Sequence, residues 1–562
     1  MHGTIRPIRP LPLAARAAAA VVVLAAGACR PAPAPAPGPT PPPAPASVAA
    51  APVYVAHGAL PPIPTVDGPL RIRVVHPGLD DPRPAVDSTF VFGSVGSGSA
   101  ALTINGTPVA VAPNGAFLAF LPVPADGSYP FAARRGGDSA TVTTGFRPAP
   151  PGPPAPASPA APDTAADAQS TPAPAQQPSA DGTIAFPQPL AARALTGDTL
   201  ATGSDVAIGR PTPTGTYRWF LPRGARLVAI GKRADMVQVR LDSATVAWFP
   251  DTALSLGAES PAVGPTTLGR VTARRDSAWV DVRIPAGGAP FLVEDMGDTW
   301  RVRLHGVTAV DAPAVNLGDP MLDSIASAAG EPGSAQVTLS FARRPWGYKA
   351  FYAADGALVL RIRRGPSIDP ASPLRGIRIV IDPGHPPGGA VGPTGLTEAE
   401  ANLAVALPLA DQLRAAGATV MLTRTTNAAV GLAERTAMAA RWNADLLVSV
   451  HNNAFPEGEN PFTGNGTSTY WFHPSGTPLA QALDREVVGV TGIRDLGAHD
   501  GNLALVRATW FPSTLTESLF MMVPEQEAAL RDPAFLARLA AAHVRGIEAF
   551  LRSRASGAWT TP

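Results

Sequence analysis

Cysteine is almost missing from this chain: Cys29 stands alone among 562 residues. A single cysteine cannot close a disulfide within its own chain, so no covalent staple supports the fold. Charge is sparse and balanced, with 44 Lys and Arg against 43 Asp and Glu and a formal net charge of +1. No long basic run gives the electrostatic footprint of nucleic-acid binding, which excludes DNA and RNA as partners. The apolar stretch AAAAVVVLAAGAC near the start falls short of the roughly 20 apolar residues that a spanning helix needs. What the chain has in excess is proline, 66 residues in all, far above an ordinary share of about 5%. The prolines are bunched, which marks linkers. At roughly 100 to 200 residues per domain the length implies three or four domains.

Residues 1–29 read as an export segment, with Arg6, Arg9 and Arg16 ahead of the apolar stretch and small residues at its end. The AGAC sequence that closes it resembles the lipobox of bacterial lipoproteins, so Cys29 is expected to carry lipid. Acyl chains there would anchor the chain to a membrane, each buried methylene contributing ~0.8 kcal/mol. The resemblance implies a periplasmic protein held at the outer membrane. Residues 30–50 and 147–182, rich in Pro and Ala, cannot pack a core and read as extended linkers. Between and after them lie short β-rich runs. Residues 51–146 resemble an immunoglobulin-like module, with Asn105-Gly106 as a hairpin signal. Residues 183–258 resemble a small SH3-like barrel in which Trp219, Trp248 and Phe249 read as core, and 259–370 resemble a cell-wall-targeting β module. These modules carry no catalytic cluster and are expected to bind envelope components.

From residue 371 to 556 the texture changes to strands alternating with helices. GIRIVID, TVMLTR and DLLVSVH read as strands, with helices over 398–416 and 431–442 between them. STYWFH, LALVRAT and STLTES read as further strands and 525–552 as a closing helix. The expected fold is therefore multidomain: a C-terminal α/β three-layer domain with a mostly parallel sheet, preceded by small all-β modules and linkers. In such sheets ligands gather at the carboxyl ends of the strands. His385 follows IVIDPG, His451 ends DLLVSVH, Glu517 ends the run STLTE, and Glu398 opens the first helix. Two imidazoles and a carboxylate form a ligand set for catalytic zinc. Their wide spacing rules out a single-helix H-E-x-x-H motif, so only the fold can assemble them.

The run from DPGH through GLTEAEANLAVAL, with VMLTR, LAERTAMAARWNADLLVSVHNNA and LVRATWFPSTLTES, resembles the zinc-dependent N-acetylmuramoyl-L-alanine amidases. The resemblance covers about residues 374–554. It implies one Zn2+ per catalytic domain, held by His385, Glu398 and His451, and Glu517 as the catalytic carboxylate. The implied substrate is peptidoglycan, cut between the lactyl group of N-acetylmuramic acid and L-alanine by zinc-activated water. Asn453, His499 and Arg507 are candidate substrate contacts, while Arg424 and Arg435 fit a structural role at the rim. Two rival readings keep the same residues: an inactive murein-binding scaffold, and a zinc peptidase acting within the stem peptide. Pro386 and Pro387 stand where the family has Gly-Gly, and Pro408 falls inside the first helix, where proline costs about 3 kcal/mol or forces a kink.

Overall fold

A computed structural model describes residues 59–78, 80–147, 181–195, 206–257 and 266–556. The export segment with Cys29 and the two linker cores lie outside the described residues. No helix among the described residues is long and apolar enough to cross a membrane.

The C-terminal domain is built on a six-stranded sheet. Its strands are β1 (Arg378–Pro383), β2 (Thr419–Leu422), β3 (Leu446–Asn453), β4 (Thr467–Trp471), β5 (Asp495–Asp500) and β6 (Ser513–Phe520). Their order is β2-β1-β3-β6-β4-β5. All pairs are parallel except β4 with β6. The helices are α1 (Glu398–Ala415), α2 (Leu432–Arg441), α3 (Pro461–Gly464), α4 (Thr477–Thr491), α5 (Pro524–Ala529) and α6 (Pro533–Ala555). β1 and β3 read as continuous apolar runs because helices cover both faces, and both are almost wholly buried. The core spans Ile379, Ile381, Val448 and Val450 in the sheet and Leu409, Leu483, Leu539 and Phe550 on the helices.

Two expectations for this domain are corrected. LALVRAT is not a strand: Ala504–Val506 form a 3-10 turn that buries Leu505 and Val506. The strand in that region is β5, DLGAHD, at the sheet edge. The closing helix is two, because Pro533 starts α6 with Asp532 as its N-cap. α4 was not anticipated at all. α1 runs through Pro408 without ending.

Residues 68–147 form two antiparallel sheets, one of three strands and one of four, around a shared core of Val91, Ile104, Phe117 and Phe131. The β regions 183–257 and 266–363 are not independent modules. One continuous core joins Trp219, Phe249 and Val239 of the first to Val282, Leu304 and Leu360 of the second. Across that seam Asp242 Oδ2 lies 2.6 Å from His305 Nδ1, and Trp219 Nε1 donates to His305 Nε2 at 3.2 Å. Trp219 and Phe249 are buried in this core.

Candidate active site

α1 begins where a carboxylate is needed. Thr397 is its N-cap, and Thr397 and Glu400 close a capping box. Glu398 therefore occupies the first helical position, where the helix dipole favours negative charge. Its carboxylate turns back to the sheet. Glu398 Oε2 lies 3.3 Å from His385 Nε2, and Glu398 Oε1 lies 3.0 Å from His451 Nδ1. The two imidazoles meet edge to face with centroids 5.0 Å apart. One donor atom from each of His385, Glu398 and His451 falls within 4.8 Å of the others. Tetrahedral zinc with bonds near 2.0–2.1 Å separates its ligands by about 3.3 Å, so this donor set fits the ion.

Two of these three groups, His385 and Glu398, are oriented by a neighbour outside the cluster. His385 Nδ1 lies 3.0 Å from the Pro387 carbonyl, which leaves Nε2 facing the cluster. Asn402 Nδ2 donates to Glu398 Oε1 and to the Gly384 carbonyl, at 3.2 and 3.1 Å. Asn452 Nδ2 in turn donates to Asn402 Oδ1 at 2.9 Å. Burial pushes the Glu398 carboxyl up, but hydrogen bonds to His385 and His451 outweigh it and hold the group below the ordinary carboxylate range. The bond to Glu398 raises His385.

The loop carrying His385 is strained and clamped. His385 itself has φ 56°, a left-handed conformation unfavourable for a side chain with a Cβ. Gly384 permits the crowding beside it: a Cβ there would lie 2.1 Å from the His451 ring. Two arginines hold the loop's carbonyls. Arg424 donates to Pro383 and Gly384, both at 2.8 Å, and to Ala399 at 2.7 Å. Arg435 donates to Pro383 at 2.7 Å and to His385 and Pro386 at 3.0 Å each. Arg435 also pairs with the fully buried Asp382 at 2.7 Å, a carboxylate that accepts from Thr423 and Ser449 as well. Burial and the neighbouring Arg435 lower Arg424 to about 10. On the other side Glu527, fully buried, accepts from Thr394 and Leu396. Sequence reasoning missed Glu527, since an acid early in a helix reads as ordinary dipole pairing.

Glu517 stands on β6 directly beside His451 on β3. Its Oε2 is buried and has no hydrogen-bond partner. Burial and the charge of Glu398 raise its carboxyl well above the ordinary range.

The other candidates do not join this cluster. Asn453 Oδ1 accepts from its neighbour Ala454. His499 is exposed on β5, three strands from β3 and therefore roughly 14 Å away across the sheet. Arg507 donates to Asn502 through Nε and Nη2, both at 2.8 Å, and lies over the Tyr217 ring at 4.2 Å. It joins the β region to the catalytic domain. His473 lies half-buried against the Arg507 carbonyl, and desolvation of its ring lowers it to about 4.

The chain matches the N-acetylmuramoyl-L-alanine amidase family over residues 379–549. The N-acetylmuramoyl-L-alanine amidase CwlM of Bacillus licheniformis is 32% identical over 179 residues, covering 30% of this chain and 67% of the relative. A sporulation-specific N-acetylmuramoyl-L-alanine amidase of Bacillus subtilis is 31% identical over 179 residues, covering 31% and 67%. Among solved structures, the amidase AmiC2 of Nostoc punctiforme is 30% identical, covering 31% of this chain and 97% of that one, with a TM-score of 0.29. With two thirds of a relative more than 30% identical covered by its C-terminal domain, this chain belongs to the zinc-dependent N-acetylmuramoyl-L-alanine amidases.

Proposed function

We propose that this protein hydrolyses peptidoglycan at the amide between the N-acetylmuramic acid lactyl group and L-alanine, with His385, Glu398 and His451 as zinc ligands and Glu517 as the proton-transfer group. The single observation that carries the residue assignment is the convergence of three ligand-type atoms beside a buried, unpartnered carboxylate oxygen of Glu517. Zinc supplies Lewis acidity, lowering the pKa of water from 15.7 to about 7 and polarising a carbonyl. His385 and His451 bind through Nε2 and Nδ1, and Asn402 fixes the Glu398 carboxylate between them. Glu517, whose carboxyl is raised above its ordinary range by burial and by the charge of Glu398, accepts a proton from the attacking water at its carboxylate. The same oxygen then delivers it to the departing alanine nitrogen, so the carboxylate is regenerated and no covalent intermediate forms.

The substrate lies in the cell wall, outside the cytoplasm, and we infer that lipid on Cys29 anchors the chain at the outer membrane. The β regions serve there as binders of envelope components. Mass analysis of a sacculus digest tests the central reading. Free stem peptides beginning with L-alanine, and glycan with bare lactyl groups, are expected. Products cut within the peptide would replace it with a peptidase, and zinc binding without any cleavage would leave a murein-binding scaffold.

A further inference from the structure

The N-terminal sandwich does not stand apart from the catalytic domain. In its strand Ser88–Ser94, Val91 faces the sandwich core while Phe90 and Phe92 face outward. Those outward rings are only 4% and 5% exposed, because Phe520, Met522 and Val523 at the end of β6 cover them. Phe455 stacks on Phe520 at 4.2 Å beside them. A polar clamp reinforces the contact. His76 Nε2 lies 3.0 Å from Glu457 Oε1, and Thr89 donates to the other oxygen of Glu457.

This docking leaves a pocket of about 310 Å³ at the seam. Val75, His76, Phe90 and Phe92 line it from the sandwich, and Val391, Phe455, Glu457 and Met522 from the catalytic domain. The pocket reaches the zinc ligands by two short routes. Ala390, in its wall, donates its N–H to Glu398 Oε2 at 3.0 Å, and Ala454, also in its wall, directly follows Asn453 at the end of β3. The pocket therefore adjoins the cluster through these two wall residues.

The lining decides which part of the substrate fits. Sugars carry hydroxyls on most carbons, and an apolar wall would leave them unpaired at a cost. The volume is at the lower end for ligand pockets, enough for one long side chain rather than a run of sugars. Glu457 is the one carboxylate in the lining. Burial pushes it up, but His76 and Thr89 beside it outweigh that and hold it below the ordinary carboxylate range. An apolar stem ending in an amine matches both features: methylenes against the rings and an ammonium at Glu457. We propose that the N-terminal sandwich is a built-in wall of the catalytic cleft, and that the pocket it completes receives the amine-bearing side chain of the stem peptide. This rests on the amidase reading.

The test uses the full chain and three synthetic muramoyl tripeptides that differ only at the third residue: lysine, Nε-acetyllysine or norleucine. Wild type should cleave the lysine substrate with kcat/KM about tenfold above the other two, the low end of what a hydrogen bond to an ionised group contributes. In Glu457→Gln the ratio of lysine to norleucine should fall below about twofold. Ala454→Trp, an exposed rim position filled with a large ring, should erase the preference as well. Equal kcat/KM for all three substrates in wild type overturns the subsite, whatever the variants do. A lysine preference that persists in both variants overturns it too. If wild type cleaves none of the three at the amide, the amidase reading fails rather than the subsite.

Discussion

Replacing Arg435 by Met tests whether the loop that carries His385 is held by a buried charge pair. Arg435 is 1% exposed and Asp382 is 0% exposed. Removing the guanidinium strands the Asp382 carboxylate with only Thr423 and Ser449 as donors, and breaking such a pair costs about 3–5 kcal/mol. A unit of 150 to 250 residues loses roughly 2–4 °C per kcal/mol, so the catalytic domain should melt roughly 6–20 °C lower. Calorimetry on the metal-free protein measures this without the added stabilisation of bound zinc. The double variant Arg435→Met with Asp382→Leu removes the stranded charge and should recover much of the loss, since apolar replacement of a buried pair is often neutral. Zinc affinity should stay reduced in both, by roughly 10- to 100-fold, because the His385 and Pro386 carbonyls have lost their clamp. A single variant melting within about 2 °C of wild type would refute the reasoning. So would a double variant no more stable than the single one.

Two further outcomes follow from the same geometry. Gly384→Ala should displace the His451 ring, since a Cβ would lie 2.1 Å from it, and zinc retention against a chromophoric chelator should collapse while far-UV dichroism stays unchanged. Asp484, on the buried face of α4, is raised to about 7 by burial and then by Asp495. A carboxyl raised in the folded state contributes stability that is full below its unfolded value near 3.8 and is lost as pH rises through about 7. Asp484→Asn should therefore flatten the fall in urea midpoint between about pH 4 and pH 7, and an unchanged slope would show that the group does not titrate there.

The rim that gathers His385, Glu398 and His451 was legible because parallel strands buried on both faces leave a plain mark. IVI and LLVSV are unbroken apolar runs, and the first polar residues after them fall on the functional rim. Arg424 and Arg435 were legible as structural for a related reason, as forked donors next to loops rich in bare carbonyls. α4 was missed although Leu479, Leu483 and Val487 recur at helical spacing and Gly492 caps the end with φ 63°. Its VVGV segment has the β-branched look of a strand, and tertiary packing against α6 overrides that local preference. LALVRAT failed the other way, an apolar run too short to pair. The docked sandwich left one clue, since STFVFGS is apolar at successive positions where a half-exposed strand would alternate. One face serves its own core and the other a surface that no local pattern reveals. His499 lies on the edge strand β5, a placement that proximity in sequence to strand ends does not reveal.

Zinc content and turnover measured together, in wild type and in Glu517→Gln, test the central claim most directly. Chelation should abolish cleavage of wild type, and added zinc should restore it in proportion until one ion is bound per chain. Glu517→Gln should bind the same single ion yet turn over at least about 100-fold more slowly, the low end for loss of a general acid–base group. Full turnover without metal, or undiminished turnover in Glu517→Gln, would contradict the account.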